Sequence, residues 1–361
     1  MKILKNHHDA HALHQEKMNN LSKLKHPSIE TLRALAVVLV FIHHLHSIAN
    51  ITLPYIAHFG GWVGVQIFFV ISGYLIILSA LRYSAKDYVI HRVFRIYPAY
   101  LFWFIAFAIF FNQLVWMDID FKALLIHLTF LQHLFPGQYF KYDSLHVSWT
   151  LTIELVWYFV AFLCAARFKK NPAGITLLFM VFSYVWIFWG SSYFPSQATM
   201  EPGLKYFFVN NNFINQLPFF FFGAYIAVKN PRFDKAGLAC IFLVTVVLSS
   251  AWKVHFPDPI FITGFGIAAL FLILKDMEYT NRKYVVFLSE ISYSFYLIHF
   301  PVISIVSEKI ENDALVVIVS IAATLGFSYL SYRWIEQPFM RMAKRKSENS
   351  MLKGKAADSI A

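Results

Sequence analysis

The sequence predicts an all-α, polytopic membrane protein with about ten transmembrane helices and both termini in the cytoplasm. Hydrophobic residues make up 58% of its 361 residues and charged residues only 14%, against about 45–50% and about 25% in average soluble domains. Apolar stretches long enough to cross a bilayer recur from residue 33 to residue 335. These observations exclude an ordinary soluble fold and favour one continuous membrane domain.

Ten segments are apolar over the length that a membrane-spanning helix requires, which is about 20 residues. The predicted spans are 33–50, 62–80, 97–115, 147–167, 173–190, 214–229, 237–252, 258–274, 287–306 and 313–334. The segment 121–135 is also apolar, but it is short and contains His127 and His133. We interpret it as an interfacial or re-entrant piece, with an eleventh span as the alternative.

The distribution of Lys and Arg predicts the orientation, because short cytoplasmic loops are enriched in both residues. With ten spans and the N-terminus inside, 26 of the 31 Lys and Arg fall on inside segments. An eleventh span at 121–135 would destroy this asymmetry, so the pattern favours ten spans with both termini inside. The five outside residues are Lys122, Lys141, Lys205, Lys253 and Lys309.

The spans divide the chain into a polar cytoplasmic tail (1–28), a transmembrane domain (29–340) and a basic cytoplasmic tail (341–361). The first tail lacks the apolar region of a cleavable signal peptide, so we expect the first span to act as the insertion signal. The second tail is expected to be disordered near anionic lipid headgroups. The net charge of +11 does not indicate nucleic-acid binding, because the basic residues form short clusters between apolar runs.

Several cysteines and histidines are expected to have structural rather than catalytic or metal-binding roles. Cys164 and Cys240 lie inside apolar segments and are expected to pack rather than to form disulfides. His43 and His46 are expected to hold helices together by hydrogen bonds. No metal site is predicted, although four tail histidines have helical spacing and a metal site there is the alternative. These are His7, His8, His11 and His14.

Ionisable side chains inside a span are costly, and each is therefore a candidate functional residue. Arg33 and His44 are eleven residues apart, so they share a helix face to within about 20° and His44 lies about 16 Å deeper, near the bilayer midplane. Glu154 lies roughly 9 Å inside the outer end of the fourth span, from where we expect it to approach His44. His299 is also near mid-depth, where packing and a functional role are both open.

The predicted cytoplasmic loop 82–96 contains a pair of arginines, Arg92 and Arg95, that are three residues apart and can share a helix face. Guanidinium groups bind phosphate oxygens bidentately, which makes such a pair suitable for a phosphorylated ligand. The alternative is ordinary topology-setting charge, because Arg82 and Lys86 lie in the same loop.

Several stretches together resemble the bacterial acyltransferase type-3 membrane proteins, which O-acylate sugars of surface or secreted glycans. The resemblance extends from about residue 27 to residue 340, and its most specific element is the arginine, ten intervening residues and histidine of Arg33 and His44. The other matching stretches are GWVGVQIFFVISGYLI (61–76), HRVFRIYPAY (91–100), SWTLTIELVWYF (148–159), QLPFFFFGAYIA (216–227), ISYSFYLIHFP (291–301) and RWIEQPF (333–339). The sequence departs from the family pattern at Gln66, Leu155 and Trp157.

The resemblance implies a membrane O-acyltransferase, most simply an O-acetyltransferase of the bacterial inner membrane, with acetyl-CoA or another acyl-CoA as donor and no bound cofactor. It implies that His44 is catalytic, with Glu154 orienting its imidazole or contacting the acceptor. The acceptor would be a cell-envelope or secreted polysaccharide or a lipid-linked sugar. A secondary transporter with a mid-membrane polar site is the alternative. The residues expected to bind the donor are Arg33, Arg92 and Arg95, and those expected to contact substrate are Ser148, Trp149 and His299.

Overall fold

A computed structural model of the protein describes residues 27–52, 63–114, 119–138, 141–193, 211–251, 258–275 and 283–358. These residues are helical with short connections and contain no β-strand. The tail histidines lie outside the described residues. The helices are α1 (Pro27–Ala49), α2 (Val63–Arg82), α3 (Ala85–Phe110), α4 (Phe121–Leu128), α5 (Trp149–Lys170), α6 (Pro172–Tyr193), α7 (Phe213–Lys229), α8 (Lys235–Ala251), α9 (Asp258–Lys275), α10 (Lys283–Ser307), α11 (Asp313–Ser331) and α12 (Gln337–Asp358).

A helix lies on each of the ten predicted apolar segments, which confirms the all-α class. Among the described residues, six helices are long and apolar enough to cross a membrane, namely α1, α2, α3, α5, α10 and the helix that begins with α11. The apolar parts of α6, α7, α8 and α9 are shorter, so the number of crossings stays a prediction. The segment 121–135 forms the eight-residue α4 and a 3₁₀ turn, and eight residues rise only about 12 Å.

The largest differences from the predicted starts are in α1 and α3, which begin six and twelve residues earlier (27 against 33, and 85 against 97), and each start has a local cause. In α1 the first residue is Pro27, whose fixed φ suits the first helical position. In α3 the cap is Ser84, whose Oγ accepts a hydrogen bond from the backbone N–H of Asp87 (3.2 Å). The predicted loop 82–96 is therefore mostly the first three turns of α3, and Arg92 and Arg95 are helical residues.

The expectation of a disordered tail after residue 341 is wrong, because the chain stays helical from Asp313 to Asp358. One π-helical turn, Tyr332–Glu336, interrupts this helix between α11 and α12. Such single turns insert an extra residue and redirect the side chains that follow. Here the turn ends at Glu336, which is 1% exposed and points into the bundle.

The centre of the bundle is a close crossing of α2 and α7. A Cβ atom on Gly73 would lie 1.9 Å from the backbone oxygen of Phe220, and one on Gly223 would lie 1.8 Å from that of Val70. The two glycines thus permit backbone contact that no larger residue allows, as small residues do at membrane helix interfaces. Around this pair, α1 packs against α2 and α10, α5 packs against α2, and α10 packs against α11.

The outward faces of several helices are apolar and exposed. Ile109, Phe159, Leu177, Val247 and Ile318 each have 61–65% of their surface exposed. Continuous apolar surface of this kind is suited to lipid and not to water. The chain is a membrane protein, and several of its polar side chains are buried inside the bundle.

Candidate active site

A cavity of about 120 Å³ lies between α1, α2, α3, α5 and α10. We call it the arginine cavity, because it brings together the three arginines that the sequence assigned to donor binding. Glu154 is the carboxylate in its wall. Its polar lining consists of Arg33, Ser72, Arg92, Arg95, Thr150, Glu154, Tyr158, Ser292, Tyr293 and Tyr296.

The arginines lie near the inner end of the bundle, where α1, α3 and α10 begin and which the charge pattern assigns to the cytoplasm. Arg92 donates a hydrogen bond to Ser79 (3.0 Å) and lies over the rings of Tyr88 and Tyr158. Within the described residues, neither Arg33 nor Arg92 has a carboxylate oxygen within 4.0 Å. Two guanidinium groups in the cavity are therefore available to an anionic ligand.

Arg95 has an acidic partner that sequence reasoning missed. Its Nη1 lies 3.4 Å from Oε2 of Glu336, at angles that make the contact an ion pair and not a hydrogen bond. The other carboxylate oxygen of Glu336 accepts a hydrogen bond from Ser294 (2.5 Å). The π-helical turn brings Glu336 to this position. The signal in the sequence was Glu336 itself, an acidic residue at the end of an apolar segment, in the stretch RWIEQPF.

Glu154 is fixed in the wall of the arginine cavity by two hydroxyl groups. Ser72 (3.0 Å) and Tyr158 (2.7 Å) both donate hydrogen bonds to its Oε1. The stretch FFVISG explains this geometry, because Ser72 contacts Glu154 while the following residue, Gly73, contacts α7. Glu154 therefore belongs with the arginines.

The expectation that Glu154 orients His44 is not met. Thr150, at the start of α5, lies level with Tyr296, because its Oγ1 is 3.0 Å from the hydroxyl of Tyr296. Tyr296 is about one turn nearer the inner end of α10 than His299. The helix α5 therefore begins inside the bundle instead of at its outer surface. Since α5 and α10 run in opposite directions, Glu154 lies roughly 10 Å nearer the inner end than His299.

His44 forms a pair with His299 instead. The two rings are 4.9 Å apart, and Nδ1 of His44 lies 2.8 Å from Nε2 of His299. His299 is completely buried, and its Nδ1 lies 3.2 Å from the carbonyl oxygen of Phe295. Both nitrogens of His299 are thus engaged inside the bundle, and its expected contact with substrate stays a prediction.

Two aromatic side chains separate the arginine cavity from the histidine pair. Phe68 and Tyr296 both line the cavity, and their ring centroids are 5.9 Å apart. Tyr296 also lies 5.6 Å from His299. His44 is therefore one layer of side chains beyond the cavity and does not line it.

The opposite side of His44 leads toward the outer end of the bundle. Phe300 lies 5.0 Å from the His44 ring, and His146, an exposed residue before α5, stacks on Phe300 at 4.7 Å. His44 is itself only half-buried. The histidine pair thus lies between two aromatic layers, Phe68 and Tyr296 on the cavity side and Phe300 on the other.

The structure does not place Ser148 and Trp149 in the cavity. Ser148 is buried and donates a hydrogen bond to Asp143 (2.8 Å), so it secures the loop before α5. Trp149 is partly buried and packs against the hydrophobic core of the bundle. The residues of α5 that reach the cavity lie further along, from Thr150 to Tyr158, because only that face of the helix points at α10.

The departures from the family pattern also lie outside the cavity. Gln66 is buried, and its side-chain amide donates a hydrogen bond to Gln216 of α7 (3.4 Å). Trp157 is completely buried against Phe220 and Phe221. These substitutions change the packing around α7 and leave the polar groups of the cavity as they are.

The structure is thus a helical membrane bundle that gathers three arginines in one interior cavity, one aromatic layer away from a histidine pair. The chain belongs to the acyltransferase family described as "Acyltransferase domain" (Acyl_transf_3), which matches residues 26–333. This confirms the family expected from the sequence. No solved structure matches the chain.

Curated relatives carry acyl-transfer names. The chain is 26% identical over 361 residues to "Peptidoglycan O-acetyltransferase OatA" of Listeria monocytogenes, an alignment that covers 87% of this chain and 56% of that protein. It is 24% identical over 314 residues to "Putative membrane-bound transacylase BcsY" of Komagataeibacter xylinus, covering 77% and 73%. The chain thus spans about half the length of the first of these relatives.

Proposed function

We propose that the protein is a multi-pass O-acyltransferase of the bacterial cytoplasmic membrane, with ten spans and both termini in the cytoplasm. It transfers an acyl group, most simply acetyl, from cytoplasmic acyl-CoA to a hydroxyl of a cell-envelope or secreted polysaccharide or of a lipid-linked sugar. The observation that carries the proposal is the convergence of Arg33, Arg92 and Arg95 in one cavity directly below the His44–His299 pair. The names of the relatives support acetyl transfer to a glycan such as peptidoglycan.

The donor enters the arginine cavity from the cytoplasm. Its phosphates are bound by Arg33 and Arg92, which have no carboxylate partner in the part of the chain that the structure describes, while Arg95 is held in place by Glu336. Arg33 and His44 are separated by about 16 Å along α1, and the uncharged pantetheine arm spans this distance. The thioester reaches His44 past Phe68 and Tyr296, so one of these side chains must rotate during each reaction cycle.

His44 supplies the acid–base chemistry, because a neutral imidazole near pH 7 can accept a proton and return it. It removes the proton from the acceptor hydroxyl as the oxygen attacks the thioester carbonyl. The new C–O bond forms, the C–S bond breaks, and the proton passes from His44 to the departing sulfur. The products are the O-acyl sugar and free coenzyme A, and His44 returns to its neutral state.

The acceptor approaches from the outer end, along His146 and Phe300. An aromatic surface of this kind suits a sugar ring, whose C–H groups pack on aromatic faces while its hydroxyl groups stay accessible. Glu154 lies too far toward the inner end to contact this acceptor, and its place in the cavity supports a role with the donor.

The test compares cells that lack the protein with cells that express either the wild-type protein or the variant His44→Ala at equal membrane abundance. Mass spectrometry measures ester-linked acyl groups on envelope and secreted glycans. Inverted membrane vesicles supplied with ¹⁴C-acetyl-CoA test the donor directly. We expect both signals only with the wild-type protein. The proposal would be excluded if acyl content were equal in all three strains and no ester-linked label formed. Label that accumulates in the vesicles without ester formation would favour a transporter.

A further inference from the structure

The His44–His299 contact determines which nitrogen of His44 can act as the base. Nδ1 of His299 faces the carbonyl oxygen of Phe295 at 3.2 Å, and a carbonyl oxygen can only accept a hydrogen bond. Nδ1 of His299 must therefore carry the proton in the neutral ring. Nε2 of His299 is then an acceptor, and the nitrogen that faces it at 2.8 Å, Nδ1 of His44, must be the donor.

This assignment leaves Nε2 of His44 without a proton. Within the described residues this nitrogen has no hydrogen-bond partner, and it is not enclosed, since His44 is half-buried.

We propose that His299 is a positioning residue that holds His44 in the tautomer with the proton on Nδ1 and so presents Nε2 as the base. The inference rests on the proposed acyl transfer and names the partner that makes His44 competent for it. When His44 accepts a proton on Nε2, the hydrogen bond from Nδ1 to His299 becomes charge-assisted and stronger. His299 thus favours the charged form of His44 without touching substrate.

The surroundings explain why the partner is an imidazole and not a carboxylate. His299 lies beside the rings of Phe295 and Tyr296 and is fully buried. A lone carboxylate at this depth would pay a large desolvation cost, whereas a neutral imidazole pays little. The other ionisable groups near His44 are His43 and His146.

The test uses three substitutions in the full-length protein. His299→Phe keeps the ring but removes the acceptor nitrogen, whereas His299→Gln offers an amide oxygen to His44 and an amide N–H to Phe295. His43→Gln is the matched control, because the His43 side chain has no hydrogen bond to His44. All are compared at equal membrane abundance and after the same thermal-stability check in detergent.

In vesicles supplied with acetyl-CoA, release of free coenzyme A gives kcat and KM. Loss of the partner that orients a metal-binding histidine costs about 10- to 100-fold, and by analogy we expect His299→Phe to lower kcat by about that factor with KM for acetyl-CoA nearly unchanged. His299→Gln should recover most of the loss, and His43→Gln should behave as wild type. A kcat for His299→Phe within twofold of wild type would overturn the proposal.

A second measurement is independent of the acceptor. Solid-state ¹⁵N NMR of histidine-labelled protein, with the His44 signals identified by their loss in His44→Ala, reports which ring nitrogen carries the proton. We expect a single Nδ1-protonated form in the wild type and a mixture in His299→Phe. An Nε2-protonated His44 in the wild type would refute the positioning role. If His44→Ala itself kept normal activity, the proposed function would fail instead, so the two failures can be told apart.

Discussion

Arg92 offers the sharpest test of the donor site, because it lines the cavity without an acidic partner among the described residues. Replacing Arg95 would leave the buried carboxylate of Glu336 unpaired and would confuse binding with stability. We therefore choose Arg92→Met, which keeps an apolar stem and removes the guanidinium group that lies over the rings of Tyr88 and Tyr158.

A hydrogen bond to a charged group contributes about 1.5–3 kcal/mol, which corresponds to about a 10- to 150-fold change in affinity. We expect the dissociation constant for acetyl-CoA to rise by this factor in Arg92→Met. Arg92→Lys should recover only part of the loss, since a lysine keeps the charge but lacks the planar fork of donors. Because phosphate binding is electrostatic, the difference from wild type should shrink as salt is raised.

Isothermal titration calorimetry of the purified protein with acetyl-CoA measures these affinities, and dephospho-CoA serves as a ligand with fewer phosphates. Arg82→Met is the matched control, because Arg82 is exposed at the end of α2 and does not line the cavity. Affinity for acetyl-CoA that changes less than twofold in a folded Arg92→Met protein would refute the assignment. Arg92 would then be ordinary topology-setting charge.

Three further predictions concern the base, the fold and the orientation. His44→Ala should abolish acyl transfer and leave acetyl-CoA affinity nearly unchanged, whereas His43→Ala should keep normal turnover per folded molecule; the reverse result would move the base to His43. Gly73→Ala should lower thermal stability in detergent by the equivalent of about 1–3 kcal/mol or more, because its new methyl group meets the α7 backbone. Gly326→Ala is the control and should not lower it, because a methyl group there meets nothing within 4 Å. Equal melting temperatures of the two variants would contradict the close crossing. A cysteine introduced at Arg82 should be protected from an impermeant thiol reagent in intact cells, and labelling from outside would reverse the topology.

The helices and the arginine end of the site could be predicted from the sequence, because each depends on a local or nearly local pattern. Apolar length marks a helix on all ten segments, and the spacing of Arg33 and His44 places both on the face of α1 that points into the bundle. The start of α3 at Ala85 was predictable as well. Ser84 and Asp87 have the spacing of a capping box, and this signal was overlooked.

The partners of the site residues could not be predicted, because they depend on the depth at which each helix begins. Glu154 is five residues from the start of α5, which suggests an outer position, yet α5 starts level with Tyr296 inside the bundle. Glu336 reaches Arg95 only through a π-helical turn that no local pattern marks. In both cases the tertiary arrangement, and not the residue type, decided the contact.

The distribution of charge along the site also bears on the choice between an enzyme and a transporter. The charged groups of the site lie toward one end, around the arginine cavity, and the first polar groups beyond the cavity along α1 and α10 are the imidazoles of His43, His44 and His299. A carrier of an anionic substrate needs compensating charge or half-helix ends along its whole path, because an unpaired charge in the hydrocarbon is costly. Here the aromatic layer of Phe68 and Tyr296 follows the arginines directly. A ligand with a charged head and an uncharged reactive tail can satisfy this arrangement: its head stays with the arginines while only the tail passes the aromatic layer. An acyl-CoA has this architecture, so the layout of charge itself favours group transfer over transport.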